Sequence, residues 1–347
     1  MINMGELFRY PMLREVEMAR VEIDYGDRER YLVDAGDLLF ARRSLTVEGA
    51  GKCAIVASVD QETTWEGSII RARLDRSKAD PFFYFYYFLS QVGRRAIEGI
   101  VEQVAAAGIR GSDLRELRVL HPVLAEQRAI AGVLGALDDK IAVNERIVAA
   151  AMELGAAKAA RVSASAMESA VLGDILELKY GKSLPAARRV AGEIPVFGSG
   201  GISGTHIEAL LEGPGIVVGR KGTVGSVYWS EGGFFPIDTT FYVVCRGDGV
   251  SMEYAYFLLK GLGLEEMNSD SAVPGLNRDR ALSVRIKVPD AHSIKRFTVE
   301  ARELFAMSRV REQENQTLAT LRGTLLPQLM SGRIRVKDAE KIVEDHV

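Results

Sequence analysis

The chain is poor in cysteine: Cys53 and Cys245 are the only two among 347 residues. They lie far apart without a CxxC spacing, which excludes a thiolate zinc site and points to a reducing compartment. Histidine is nearly as scarce, with His121, His206, His292 and His346. No two of them stand at a metal-ligand spacing, and no Ser/His/Asp arrangement follows from their positions. His121 and His292 lie near corresponding domain-to-helix junctions, where a structural role suits them better than a catalytic one. Long hydrophobic runs are missing too. The most apolar, 82–89, is eight residues and too short to cross a bilayer. The N-terminus has no basic-then-apolar targeting pattern, so the expected location is the cytoplasm. No charge of one sign dominates: the formal net charge is −3. A protein that grips nucleic acid alone over a broad surface would be more basic. Binding of that kind here must use local patches or a partner's charge.

What is present is a long uninterrupted helical pattern. Residues 122–161 contain no proline after Pro122. Ile130, Leu134, Leu137, Ile141, Val148 and Ala151 follow steps of four and three, with Asn144 between Ile141 and Val148. That is the 3.5-residue repeat of a coiled-coil seam. About 38 helical residues make a rod of about 57 Å, which reads as a spacer. Pro289 opens a second such segment, which Pro327 is expected to end or kink. Elsewhere, 34–37 read as a turn and 53–59, 68–74 and 114–120 as strands. Asp80-Pro81 opens an aromatic helix, because proline suits a first helical position. In the second half, 226–229, 241–245 and 283–288 read as strands, 251–260 as a helix and 274–278 as a loop. Residues 333–347 read as a charged tail.

The halves repeat. Gly36-Asp-Leu-Leu-Phe-Ala-Arg42 parallels Gly215-Ile-Val-Val-Gly-Arg220. Tyr87-Phe-Leu89 recurs as Tyr256-Phe-Leu258, 169 residues on, and Gly108-Ile109 as Gly275-Leu276, 167 on. Pro122 matches Pro289, and Ile141-x-x-Asn144-Glu145 matches Val310-x-x-Gln313-Glu314. Order, spacing and residue type agree, so the chain is read as a duplication. The strand near Ile175 and the Gly181-Lys182 turn have no good counterpart before residue 30, so the first copy is expected to be shortened at its front. The fold class expected is α+β: two globular α/β domains, each followed by a long helix, the helices packing as an antiparallel coiled coil with pseudo-twofold symmetry. The boundaries expected are 1–121, 122–162 (helix), 163–288, 289–332 (helix) and 333–347. Leu137, Ile141 and Val310 are expected in the seam, with Asn144 fixing register at some cost in stability.

Candidate chemistry is limited. Gly198-Ser-Gly-Gly-Ile-Ser203 fails G-x-G-x-x-G at its last position, and Gly219-Arg-Lys-Gly-Thr-Val-Gly225 fails the P-loop pattern. Both read instead as loops that let backbone come close to a ligand. Arg220 and Lys221, followed by Thr223, stand on a tight turn between strands. Arginine reads guanine edges with two donors and lysine suits phosphates; solvated surface charge is the plainer alternative. Lys182, Arg188 and Arg189 flank the same region, Ser199 and Arg278 lie in neighbouring loops, and Arg42 and Arg43 are the equivalents in the first copy. No D…ExK cluster and no Asp-Pro-Pro-Tyr or Asn-Pro-Pro-Tyr tetrapeptide is present. The aromatic run 82–88 reads as core rather than as a base-stacking platform.

These residues resemble the specificity subunits of type I restriction–modification systems. The resemblance rests on Pro122-Val-Leu-Ala-Glu-Gln-Arg-Ala-Ile-Ala131 with Leu137-Asp-Asp-Lys-Ile141, and on Glu193-Ile-Pro-Val-Phe-Gly-Ser-Gly-Gly-Ile-Ser-Gly204. It rests further on 215–225, on Pro236-Ile-Asp-Thr-Thr-Phe241 and on Leu321-Arg-Gly-Thr-Leu-Leu-Pro-Gln-Leu-Met-Ser-Gly332. It implies two target recognition domains that each read half of a bipartite site on double-stranded DNA, with the helices as a ruler between them. It implies docking of modification and restriction subunits. S-adenosylmethionine, ATP and magnesium would belong to those partners, and this chain would hold no cofactor and no metal and catalyse nothing itself. The alternatives are a coiled-coil scaffold or dimerisation protein, self-associating through its helices, whose globular domains bind protein, and a degenerate or orphan specificity subunit.

Overall fold

Two compact units divide the chain: Met1–Val143 with Glu314–Val347, and Asn144–Gln313. In this computed structural model all residues are described except 15, 24–27, 104–105, 247–248, 268–274 and 346–347. His346 and the start of the expected 274–278 loop therefore lie outside the described residues.

The first unit runs through α1 (Met4–Arg9), β1 (Met12–Leu13), α2 (Arg28–Tyr31), β2 (Leu38–Ala41), β3 (Arg43–Ser44), β4 (Cys53–Val56) and β5 (Ile69–Ala72). Then follow α3 (Pro81–Leu89), α4 (Gln91–Glu98), β6 (Glu102–Gln103), β7 (Ala107–Gly108), α5 (Gly111–Glu116) and the first part of α6 (Leu124–Ala164). Its main sheet has the order β1-β4-β2-β5. Strands β2 and β4 are covered on both faces, which is why they are unbroken apolar runs. Leu38, Phe40, Cys53 and Ile55 pack toward α3 and α6. Leu39, Ala41, Ala54 and Val56 pack on Ile2, Leu7 and Leu13. Helix α3 starts where expected, with Asp80 Oδ1 accepting from the Phe83 amide at 3.0 Å.

The second unit holds the rest of α6, then β8 (Glu168–Val171), α7 (Leu172–Ile175), β9 (Leu176–Tyr180), β10 (Ile194–Gly198), β11 (Gly201–His206), β12 (Gly215–Gly219) and β13 (Val227–Ser230). It continues with β14 (Phe235–Pro236), β15 (Thr240–Cys245), α8 (Met252–Gly261), α9 (Arg278–Leu282), β16 (Arg285–Val288) and the first part of α10 (Ala291–Met330). The remainder of α10 and α11 (Val336–Glu344) belong to the first unit. The order β13-β12-β15 repeats β4-β2-β5, so the duplicated core is three strands. The fourth strand differs. β9 pairs with β15, whereas β1 pairs with β4 at the opposite edge. Among the described residues no strand lies beside β5 where β9 lies beside β15.

Within each unit the helices pack antiparallel. In the first, Asp138 and Lys140 of α6 pair with Arg322 and Glu314 of α10, so the numbers run in opposite directions. The apolar seam is Ile130, Leu134 and Leu137 against Leu318, Leu321, Leu325 and Leu329. In the second unit Lys158 pairs with Glu300, and Ala159 packs among Ile294, Phe297, Ala301 and Phe305. Each globular body is tied to its helices by buried polar groups. The Tyr86 hydroxyl donates to Asp138 Oδ2 at 2.6 Å. Buried Gln127 accepts from the Asp80 amide at 2.8 Å and donates to the Pro122 carbonyl at 2.8 Å. In the second unit Arg302 pairs with buried Glu253 at 2.7 Å. His121 is structural as well, 2.7 Å from the Tyr84 hydroxyl.

Four expectations are corrected. The strand expected at 114–120 is instead α5 followed by irregular chain. Its counterpart β16 is a strand because β8 pairs with it; the first unit has no such partner among the described residues. Pro327 does not end α10, which continues to Met330. The 333–347 tail is not merely charged. Val336, Ala339 and Val343 recur at helical spacing in α11 and pack on the first core, with Ala339 wholly buried. Val310 is 51% exposed and stands outside the seam. Residues 294, 297, 298, 301, 305 and 308 are the buried positions of that stretch, and the 3.5-residue repeat continues from 308 to 311, not 310. Leu137 and Asn144 are buried, and Ile141 is half-buried.

Candidate nucleic-acid interface

The same loop pairing occurs in both units. In the first, the Ile109 amide donates to the Arg42 carbonyl at 3.0 Å, and Arg43 pairs with Gly108. In the second, the Leu276 amide donates to the Arg220 carbonyl at 2.9 Å, and Lys221 bridges Gly275. Arg42-Arg43 and Arg220-Lys221 thus leave equivalent strand ends. Each basic pair is held by backbone bonds to a second loop, which fixes the start of both side chains. Arg42, Arg43 and Lys221 are exposed, and Arg220 is half-buried.

Around Arg220 the second unit builds a cluster. The Arg220 guanidinium donates to the Asp238 carbonyl at 2.6 Å and lies 5.3 Å from the Tyr180 ring and 5.9 Å from the Phe241 ring. Its Nε is buried with no partner among the described residues. The Arg278 guanidinium lies 5.5 Å from the same Tyr180 ring, and its Nε also meets Asp279 at 3.3 Å. One ring therefore holds two of the candidate cations by the attraction of a π face for positive charge. Tyr180 is 52% exposed. Sequence reasoning missed it; an aromatic two residues before Lys182, in a strand beside the basic turn, was the available signal.

The glycine-rich segments close the same site. Residues 198–201 form the turn of the β10–β11 hairpin, with Gly201 at φ +103°. The Ser199 carbonyl accepts from the Tyr228 hydroxyl at 3.1 Å. A Cβ on Gly219 would stand 3.1 Å from that carbonyl and 2.1 Å from the Thr223 carbonyl. Gly219 is therefore required by close approach of the two loops. The structure thus brings Ser199, Arg220 and Thr223 together, with Lys221 beside them in the chain. It does not bring in Arg189, whose guanidinium donates to the Ser203 and Leu184 carbonyls at 2.7 and 3.3 Å and braces β11. Lys182 and Arg188 are exposed.

Neither cysteine offers a nucleophile. Burial raises the Cys53 thiol, and burial with the nearby Glu253 charge pushes Cys245 up to about 11, so both stay protonated and non-nucleophilic near neutral pH. Among the described residues no group of three His, Cys, Asp or Glu could hold a metal ion. No helix among them is long and apolar enough to cross a membrane.

Comparison with known proteins speaks to the family and the fold. The family model described as "Type I restriction modification DNA specificity domain" matches residues 9–151 and again 165–298. The Escherichia coli type I restriction enzyme EcoprrI specificity subunit is 27% identical over 124 residues, 34% of this chain and 31% of that protein. The EcoKI specificity subunit of Escherichia coli K12 is 30% identical over 112 residues, 32% of this chain and 24% of that protein. The aligned segment thus spans about a third or less of these curated relatives. A crystal structure of a type I restriction–modification S subunit from M. genitalium superposes with a TM-score of 0.60, covering 87% of this chain and 84% of that one at 20% identity; it shares the fold. With two matched copies covering more than half of its length, the chain belongs to the type I restriction modification DNA specificity domain family.

Proposed function

We propose that this chain is the DNA-specificity subunit of a type I restriction–modification complex. Residues 1–121 and 163–288 would each read one part of a bipartite site on double-stranded DNA. The helices between them would fix the unread gap and dock a modification subunit that methylates adenine and a restriction subunit. The carrying observation is the repeated loop pairing, which sets a basic pair on the equivalent strand end of each unit. Two equivalent readers on one chain suit a two-part site. The formal net charge of −3 suits a chain that supplies base contacts while partners share the phosphate backbone.

In the second unit Arg220, Lys221, Thr223, Ser199 and Arg278 are the proposed DNA-facing residues, with Lys182 and Arg188 at the margin. In the first they are Arg42 and Arg43. Cations on rigid turns can dock on phosphates or on guanine edges in the major groove. The chain itself would carry out no reaction. The test is co-expression with its cognate modification subunit, followed by methylome sequencing. A new two-part motif methylated at adenine supports the reading. A stable complex that adds no such motif refutes it in favour of a scaffold.

A further inference from the structure

The β3–β4 loop of the first unit begins with a side chain that the fold leaves in water. Leu45 is 98% exposed, although the loop that carries it is firmly built. The Ser44 hydroxyl accepts from the Thr46 amide, and the Thr46 hydroxyl from the Gly49 amide, each at 3.2 Å. Arg94 of α4 donates to the Val47 and Ala50 carbonyls at 2.7 and 2.9 Å. Ala50 is wholly buried, and Gly51 takes φ +67° against Ile97. A leucine held in solvent by a pinned loop has lost its freedom without gaining burial.

The position of Leu45 says what it meets. It stands three residues after Arg42, as Thr223 stands three after Arg220, on strand ends that make the same backbone bond in each unit. Both side chains are exposed and both end in a methyl group. Leu45 stands two residues past the exposed Arg42-Arg43 pair, which would lie along phosphate or guanine when the unit docks. In the major groove one base presents an apolar group, the C5-methyl of thymine, and apolar side chains read it by contact. We propose that Leu45 is a specificity-determining residue of the first unit, packing on a thymine methyl in the part of the site that this unit reads. This rests on the DNA-specificity reading above.

The test uses the full chain in complex with its modification subunit and duplexes bearing the methylome-derived motif. Each thymine is replaced in turn by uracil, which removes only the methyl. Wild type is expected to lose roughly five- to tenfold in affinity at one thymine of one half-site, the worth of about one buried methyl group or a little more. Leu45→Ala is expected to bind the thymine duplex that much more weakly and to be indifferent to uracil at that position. Its melting temperature should match wild type, because the side chain lies almost wholly in solvent. If the variant discriminates thymine from uracil as wild type does, or if wild type never discriminates, Leu45 does not read a methyl group and the inference falls while the function stands. If Leu45→Ala fails to assemble with the modification subunit, the side chain belongs to a protein interface and the inference is overturned. A wild-type complex that binds no DNA overturns the function itself.

Discussion

The join between the first globular body and the long helices turns on one half-buried carboxylate. Asp138 accepts from the Tyr86 hydroxyl at 2.6 Å and pairs with Arg322 on α10. Tyr86 is wholly buried, and burial together with the Asp138 charge raises its hydroxyl far above the ordinary tyrosine value. The phenol thus stays a donor at any working pH. Tyr86→Phe keeps the ring and deletes one hydrogen bond to a charged acceptor, worth about 1.5–3 kcal/mol. Asp138 would keep Arg322 as its partner, so the loss should fall in that range. Asp138→Ala leaves the Tyr86 hydroxyl buried without an acceptor and strands Arg322, whose side chain is 38% exposed. The orphaned hydroxyl alone costs about 1–3 kcal/mol, and the lost ion pair adds less because Arg322 can turn to water. Hydrogen exchange followed by mass spectrometry resolves 81–89 and 124–143 as separate peptides. Tyr86→Phe should speed their exchange by about ten- to hundredfold, by the factor of ten per 1.4 kcal/mol that links energy to equilibrium constants. Exchange in 252–261, in the other unit, should not change. If α3 and α6 exchange as in wild type, the Tyr86–Asp138 bond does not hold the body to the helices.

Three further outcomes follow from the geometry. Gly132 and Gly155 both lie in α6, but a Cβ at Gly132 meets nothing within 4 Å, whereas one at Gly155 stands 2.3 Å from the buried Phe257 ring. Gly132→Ala should therefore stabilise by about 0.5–1 kcal/mol. Gly155→Ala should instead cost about 1–3 kcal/mol of overpacking against a smaller helical gain; thermal unfolding that moves both variants the same way contradicts this packing. Tyr180→Leu should weaken DNA binding of the complex about five- to thirtyfold, since two exposed cation–π contacts are worth about 0.5–1 kcal/mol each, while Tyr180→Phe keeps the ring and should bind as wild type; equal binding by the leucine variant removes the ring from the site. Four residues inserted after Ala149 add about 6 Å and about 40° beyond a full turn, so methylome sequencing should show a changed gap or no methylation, and an unchanged gap contradicts the ruler.

Much of the fold was legible because it is local. The 3.5-residue repeat gave α6, Asp80-Pro81 gave the start of α3, and Gly36-to-Arg42 with Gly215-to-Arg220 gave the duplicated strand β2/β12. Of the candidate site, the basic turn and its first-copy equivalent were readable from the repeat. Arg189 was misread because the Ser203 and Leu184 carbonyls that occupy it come from outside its own turn. Tyr180 was missed because the ring gains its role only when β9 pairs with β15 and brings it to Arg220. Val310 was placed by matching residue types across the repeat, whereas seam membership depends on helical phase, which one residue's error turns by about 100°.

The sequence by itself determined the duplication, the two long helices and the three-strand core of each copy. Periodicity and backbone punctuation are written in nearest neighbours. Tertiary structure decided which sheet edge received the fourth strand, how α11 joined the first core, which arginines were spent on carbonyls and which side chains were left facing solvent. Those outcomes depend on contacts between residues far apart in the chain, whose energies no local pattern encodes.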